Sequence, residues 1–542
     1  MTWQEGTAAG YLALLEDLKQ VMTNSRVDSL AVTAGGSGYA VGDVLAIDGG
    51  TTVGGHTAAA EVLTVSTGAV STVRIYRGGA YTVNPGTSAT TTGETNVDTG
   101  ASVTGTGCTI TTTIASADWS VLRESQEAAS ATIGAGGTGY SVSDKLTLVG
   151  GLIGEGGTAT IFNVDTVSGG VVTAVSVDTA GNYEEEPTPN PIATTGGGGS
   201  GCTLNVTWQD ATTQERVLIL NGTGLSGTDD IYVGIKAYEL TVGFDTAWNF
   251  CLLGFTGFNS GLTIEEQPGI SPGLLTSVGN EGETDDGNGA FVPLKDSSGD
   301  DISWYANVNG RRIVFSCAVD DGVQFNHFQG YLGFLDQVGT NDEYAYPLCV
   351  ASGVSGDDAL YNESSVLLGG IVEPIPTQST AIDPAGAFLV RHPDGSWIAH
   401  AAALSNSASV RTSETEFGVF PLASLTIPNT SEPDAMVANT GFGMKDVVPT
   451  SGVPGTASFV LKPSPGTADE YLRRPVIPFR QETPITGNDY YLTGELGGVF
   501  WFARGGSSIV ALDRLTDGDD RYRIFTNGNR TQDWSYFCIA ED

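Results

Sequence analysis

Apolar and polar residues alternate with a period of two along most of this chain, the pattern of strands with one buried face. The alternation is clear in Ala60-Glu61-Val62-Leu63-Thr64-Val65, in Ile231-Tyr232-Val233-Gly234-Ile235-Lys236-Ala237-Tyr238, in Ile302-Ser303-Trp304-Tyr305-Ala306-Asn307-Val308, from Arg312 to Val319, and in Gly498-Val499-Phe500-Trp501-Phe502. Glycine, asparagine and proline punctuate these runs, which predicts short strands joined by turns. Asn309-Gly310 is expected to close a hairpin, because that pair tolerates the positive φ angles of a two-residue turn. One segment departs from the period. From Thr7 to Met22 the apolar residues Tyr11, Leu14, Leu15, Leu18 and Val21 share one helical face and Glu16, Asp17, Lys19 and Gln20 the other, with Thr7 as the expected cap. A helix with one apolar stripe must dock on its own domain or on a neighbouring subunit. Tyr11, Leu14, Leu15 and Leu18 are therefore the candidate contacts of an assembly helix.

The pattern also repeats. Gly35-Gly36-Ser37-Gly38-Tyr39, followed by Val41-Gly42-Asp43-Val44-Leu45, returns as Gly136-Gly137-Thr138-Gly139-Tyr140, followed by Val142-Ser143-Asp144-Lys145-Leu146. Each copy continues through two alternating strands around a glycine turn, the second being Val70 to Ile75 or Val171 to Val177. Each copy closes alike, at Gly105-Thr106-Gly107-Cys108-Thr109-Ile110 and Gly199-Ser200-Gly201-Cys202-Thr203-Leu204. Between and after the copies stand two further strands, Asp118 to Glu124 and Gln214 to Gly222. With both copies lifted out, these strands and the helix become neighbours, so the repeats read as insertions into loops of a framework, where added length costs little. The expected fold is mainly β, sandwich-like or jelly-roll-like, with two inserted glycine-rich modules and a short N-terminal helix. The expected divisions are 1–26 (helix of the framework), 27–117 (first module), 118–129 (framework strand), 130–208 (second module), 209–380 (central β domain) and 381–542 (C-terminal β domain).

Composition narrows the function. The 542 residues include 75 glycines, and 62 acidic side chains against 23 lysines and arginines give a formal net charge of −39. That field repels phosphate backbones, which argues against a nucleic-acid partner. No segment approaches the roughly 20 apolar residues of a membrane helix. The N-terminus shows no secretory signal, so the chain is expected to be made in a cytosol and to stay soluble. Cysteines 108, 202, 251, 317, 349 and 538 form no Cys-x-x-Cys pair and read as buried thiols, with Cys108 and Cys202 packing inside their own modules.

Candidate chemistry is thin. His392 and His400 flank one turn but lack a third metal ligand. Asp513 to Asp520 and Gly282 to Gly289 have the oxygen density calcium favours without a full calcium-loop pattern. With 62 acids, paired carboxylates single out no hydrolytic site, and no serine or cysteine sits in a nucleophile motif. No catalytic residue, metal site or cofactor is therefore assigned. Tyr39, Tyr81, Tyr140 and Tyr183 recur at matched places in the two repeats. Beside glycine they could stack on sugar rings or meet a partner, or each could cap the small core of its own module.

Several blocks resemble a family of tailed-bacteriophage virion proteins. They are Gly6-Thr7-Ala8-Ala9-Gly10-Tyr11-Leu12-Ala13-Leu14-Leu15, Trp119-Ser120-Val121-Leu122-Arg123, Tyr232-Val233-Gly234-Ile235, the stretch from Trp304 to Val314, Gly330 to Phe334, Tyr344 to Leu348, and Tyr522 to Thr531 with Trp534 to Ala540 as a last strand. The Gly-Ser-Gly-Tyr repeats are similar to insertions in phage tail and fibre proteins. The resemblance implies a structural tail component, at the baseplate or tail tip, that is made in the host cytoplasm and carried in the virion. Its implied partners are copies of itself and other tail proteins. It implies no catalytic residue. The alternatives are a receptor-binding fibre whose repeats recognise host surface glycans, a capsid decoration protein, and a polysaccharide hydrolase.

Overall fold

The alternating segments form antiparallel sheets in the computed structural model, which describes residues 2–154, 157–212, 215–224, 226–227, 229–242, 245–271, 290–295, 301–320, 325–337, 347–352, 388–391, 395, 397–399, 417–420, 424–427, 457–460, 471–481, 490–504, 509–518, 520–526 and 536–541. The protein is mainly β, with one α-helix among the described residues.

The framework stacks three sheets. Its middle layer has seven strands, in the order Thr2–Ala9, Asp301–Val308, Arg312–Asp320, Phe325–Phe334, Leu348–Ser352, Phe388–Arg391 and Trp397–Ala399. Alternate residues of these strands enter two different cores. Ile302, Trp304, Ala306, Ile313, Phe315, Leu332, Val350 and Leu389 face one side, and Val314, Tyr331, Cys349, Ala351 and Val390 face the other. A sheet covered on both faces accounts for near-continuous apolar runs such as Ile313 to Val319 and Leu348 to Ala351.

On the first side lies a five-stranded sheet of Trp119–Glu124, Arg216–Gly222, Ile231–Val242, Asp245–Phe255 and Ala290–Lys295. On the second lies a sheet of Tyr471–Pro475, Val499–Arg504, Tyr536–Ala540, Asp520–Thr526 and Arg514–Asp517, whose Val499, Phe525, Phe537 and Ile539 pack against the middle layer.

The helix spans Tyr11–Thr23 and lies against strands of both the seven-stranded and five-stranded sheets. Tyr11, Leu14, Leu15, Leu18, Val21 and Met22 are buried in the core shared by those sheets. This corrects the assembly-helix expectation: its apolar stripe is used within its own chain. Thr7 is not its cap either. Thr2–Ala9 is a strand paired residue for residue with Asp301–Val308, and the helix starts after Gly10, at φ 89°, with no side-chain cap.

The expected hairpin at Asn309-Gly310 forms, but by another device. Asn309 Oδ1 accepts from the backbone N–H of Arg311 and Arg312, an Asx turn, while Gly310 does not take a positive φ. Phe388–Arg391 and Trp397–Ala399 continue the sheet of residues 301–352, so the seven-stranded layer crosses the division expected at residue 380.

Each glycine-rich module is a six-stranded, barrel-like sheet. The first runs Arg26–Ser37, Thr106–Ala115, Ala89–Asn96, Asp43–Ile47, Ala59–Ser66 and Ala69–Arg77. The second runs Gln126–Thr138, Ser200–Asp210, Ile192–Thr195, Lys145–Leu148, Ile161–Ser168 and Val171–Thr179. Chain enters and leaves each module through paired residues, Arg26 with Ala115 and Gln126 with Asp210, so each hangs from the framework on a two-strand stalk.

Candidate functional site

The repeated glycine motif closes the barrels. Gly35 passes so near the last strand that a Cβ there would lie 2.4 Å from the Val70 carbonyl oxygen, and one on Gly136 would lie 2.5 Å from that of Val172. Only a residue without a side chain lets first and last strands meet at that distance. Backbone hydrogen bonds then tie both ends of the seam. In the first barrel they run from Val27 N–H to Gly78 O and from Tyr39 N–H to Gly68 O; in the second, from Ala128 to Ala180 and from Tyr140 to Gly170. Gly38 and Gly139 turn the chain at the tip, both at φ 82°.

The aspartate seven residues after the second glycine of each motif's opening pair then fastens that turn. Asp43 Oδ2 accepts from Ala40 N–H, and Asp144 Oδ2 accepts from Ser141 and Gly198 N–H. The Gly198 and Ser141 donors hold the Asp144 carboxyl below its usual range.

The four matched tyrosines lie inside these barrels. Tyr39, Tyr81, Tyr140 and Tyr183 are 5%, 1%, 3% and 0% exposed, which leaves no ring face for a sugar and corrects their assignment as glycan or partner contacts. Their hydroxyls work internally: Tyr81 accepts from Ala58 N–H at 2.7 Å and Tyr183 from Thr160 N–H at 2.9 Å, while Tyr39 accepts from Cys108 N–H. Tyr39 and Tyr81 belong to the same core as Cys108 and Tyr140 to that of Cys202, while Tyr183 packs edge-on against Trp208. The six cysteines are all buried.

What the barrels expose is different. Val41 and Val142, equivalent in the two motifs, are 51% and 55% exposed. Cross-strand hydroxyl pairs line the outer walls, Ser29 with Thr113, Thr33 with Thr111, Thr64 with Thr72 and Thr166 with Thr173.

Beneath the barrels the charges gather. The first barrel meets the C-terminal sheet through Arg521, 2% exposed, which donates to Glu61 Oε2 at 2.9 Å and to the Ile75 carbonyl. Arg74 forks onto the same Glu61. Arg523 donates to Glu541 and Glu5, and Tyr76 donates to Glu5. Arg514 stacks 4.5 Å over the Tyr76 ring, and its Nε lies 2.7 Å from Glu541 Oε2, a charge contact without hydrogen-bond alignment. Burial opposes the charge on Arg523, but Glu541, Glu5 and Tyr76 outweigh it and hold the group cationic. A second contact joins this barrel to the helix, where Asp17 sits between His56 Nε2 at 3.2 Å and the Trp304 indole N–H at 3.1 Å.

The second barrel is held by two clusters. In one, Lys19 and Arg216 are surrounded by Glu16, Glu124 and Asp210. Burial raises the Glu16 and Asp210 carboxyls, but hydrogen bonds from the neighbouring cations and amides prevail and leave both lowered. These three carboxylates are the one acidic group among the described residues close enough to share a metal ion, and the Lys19 ammonium and Arg216 guanidinium already fill the space between them.

In the other cluster Arg123, 5% exposed, reaches the Ser260 and Leu262 carbonyls and Glu184 Oε2, which also accepts from Ile264 N–H at 2.8 Å. Lys236 lies between Glu215 and Glu265. Burial, reinforced by Glu265 and opposed by Arg123, pushes the Glu184 carboxyl up to about 7.

These clusters were not singled out in the sequence, although a signal was there: Glu61 is the one charge in an otherwise uncharged strand, and Lys236 interrupts the apolar run Ile231 to Tyr238. The remaining candidates divide. His392, His400 and Gly282 to Gly289 lie outside the described residues. The described part of Asp513 to Asp520 is a hairpin in which Asp513 accepts from Val510 N–H and Asp517 pairs with Arg473. No protein-family model matches the chain, and no curated protein matches it.

Proposed function

We propose that this chain is a structural component of a bacteriophage tail, at the baseplate or tail tip, acting through shape and assembly. The observation that carries the reading is the way two closed barrels are fixed to one layered framework by buried ionic contacts, an arrangement suited to holding appendages at set angles. The close approach of first and last strands covers the sheet edges of the barrels and so protects them from strand-to-strand aggregation at high local concentration. Eight of the chain's 23 lysines and arginines lie in these junctions, and the net charge of −39 sets like-charge repulsion between unassembled copies. The resemblance of the helix, central and C-terminal segments to tailed-phage virion proteins gives the setting.

The test is assembly. Native mass spectrometry and affinity capture from infected cells should yield a homo-oligomer carrying other tail proteins; a chain that stays monomeric and captures none contradicts the reading.

The exposed hydroxyl pairs and Val41 and Val142 favour a second reading, in which the barrel walls and tips contact a host surface glycan. Excising 26–115, whose ends are paired neighbours, should then abolish binding to a glycan array while the framework remains folded.

A further inference from the structure

The cluster beneath the second barrel carries an excess of negative charge that its cations do not match. Glu184 comes from the barrel, in the loop after strand Val171–Thr179, and is buried against the framework. Facing it are Arg123 from strand Trp119–Glu124, Lys236 from strand Ile231–Val242, Glu215 just before strand Arg216–Gly222, and Glu265 from the short helical turn Ile264–Glu266. On its own loop, Glu185 lies 3.8 Å from Arg123 but is half exposed, and Glu186 follows.

Three carboxylates, the buried Glu184 and Glu215 and the part-buried Glu265, thus confront two cations. The cations are also divided: Arg123 gives donors to two backbone carbonyls, and Lys236 lies between Glu215 and Glu265. Two carboxylate oxygens are left buried with no hydrogen-bond partner, Glu184 Oε1 and Glu265 Oε2. The Gly154 backbone roofs the first of these so closely that a Cβ there would lie 2.2 Å from it. A buried, unpaired negative charge is expensive, and one bound proton removes it.

We propose that the junction between the second barrel and the framework is a proton-controlled latch, held tight while Glu184 is protonated and loosened when it ionises. The contacts it would release are those joining barrel to framework, Glu184 with Arg123 and Ile264 N–H, and Asn182 with the Glu215 carbonyl.

The sign follows from linkage. Glu184 has a carboxyl raised to about 7 when docked against an ordinary 4.5, so docking takes up a proton. Its contribution is complete below about pH 4.5 and is lost as pH rises through 7. Glu16 and Asp210 in the neighbouring cluster act oppositely and weaken only in acid below their ordinary values of 4.5 and 3.8, so they add nothing between about pH 5.5 and 8.5; Glu186 on the same loop is also raised by burial, and Glu184→Gln separates its share. The first barrel supplies an internal control in a His56→Gln background, which removes its histidine contact with Asp17, because the rest of its junction sets Glu5, Glu61 and Glu541 against four arginines and leaves no surplus carboxylate.

The test is hydrogen–deuterium exchange of the full chain at both pH values, corrected for intrinsic exchange rates. Protection of peptides covering 180–187 and 259–267 should fall about tenfold or more on going to pH 8.5, while peptides 59–66 and 520–526 hold theirs. Glu184→Gln should abolish the fall. Glu265→Gln, which removes the facing charge but leaves Glu184 in place, should shrink it and move its midpoint to lower pH. Protection that does not change with pH, a fall shared equally by both junctions, or a fall that survives in both variants would overturn the proposal.

Discussion

In the first barrel the Tyr81 hydroxyl receives the Ala58 N–H, and in the second Tyr183 receives that of Thr160; Gly35 and Gly136 close the two seams with the same backbone approach. Below the barrels the likeness stops. The first stands on an arginine-rich junction with the C-terminal sheet and the N-terminal strand, and the second on carboxylate-rich junctions with the helix and the five-stranded sheet. The residues shared by the copies are those that make a closed barrel. The residues that differ decide where each barrel sits and how firmly. A duplicated module is thereby reused at two sites without its core being redesigned.

The largest expected effect is at the first junction. Arg521→Ala removes a guanidinium only 2% exposed that bridges Glu61, Glu541 and the Ile75 carbonyl; Arg74 stays on Glu61, but the bridge between barrel and C-terminal sheet is lost, which should destabilise the chain by about 2–4 kcal/mol in chemical denaturation. Arg216→Ala at the second junction should cost less, about 1–3 kcal/mol, because Lys19 remains among the same carboxylates and Asp210 is already part-exposed. Equal losses at the two sites would dissolve the contrast drawn between the junctions.

The barrels themselves should respond alike. Tyr81→Phe and Tyr183→Phe each orphan one buried N–H, and each should lower stability by about 1–3 kcal/mol. Gly35→Ala and Gly136→Ala should each cost a similar amount, about 1–3 kcal/mol, by forcing the seam apart, whereas Gly257→Ala in an open framework loop should stay within about 0.5 kcal/mol. A pair whose members differ by more than twofold in thermal or chemical unfolding would mean that the copies are not built on the same principle. The smallest effect belongs to the tips: Val41→Ser and Val142→Ser should change stability by less than about 0.5 kcal/mol, since both side chains face solvent.

Strand content was legible because a period of two survives wherever one sheet face is buried, as from Ile302 to Val308. The duplication was legible because closing the seam fixes glycine, tyrosine and aspartate at set spacing. Pairings over long sequence distance were not. Thr2–Ala9 looks like the lead-in to the helix until Asp301–Val308, some three hundred residues away, supplies its partner. Tyr39 and Tyr183 resemble binding-face aromatics because exposure is a property of the closed barrel and not of the Gly-Tyr motif. The contact of Arg521 with Glu61 spans 460 positions, and only folding reveals that the two charged residues answer each other.

The most direct test of the account is a cryo-electron-microscopy reconstruction of tails from particles carrying this chain. The account predicts repeated copies of the layered framework in the tail tip or baseplate, each with two barrels at fixed orientation. Tails in which the framework is absent from tip and baseplate, or copies whose barrels are smeared out while the framework is sharp, would contradict it.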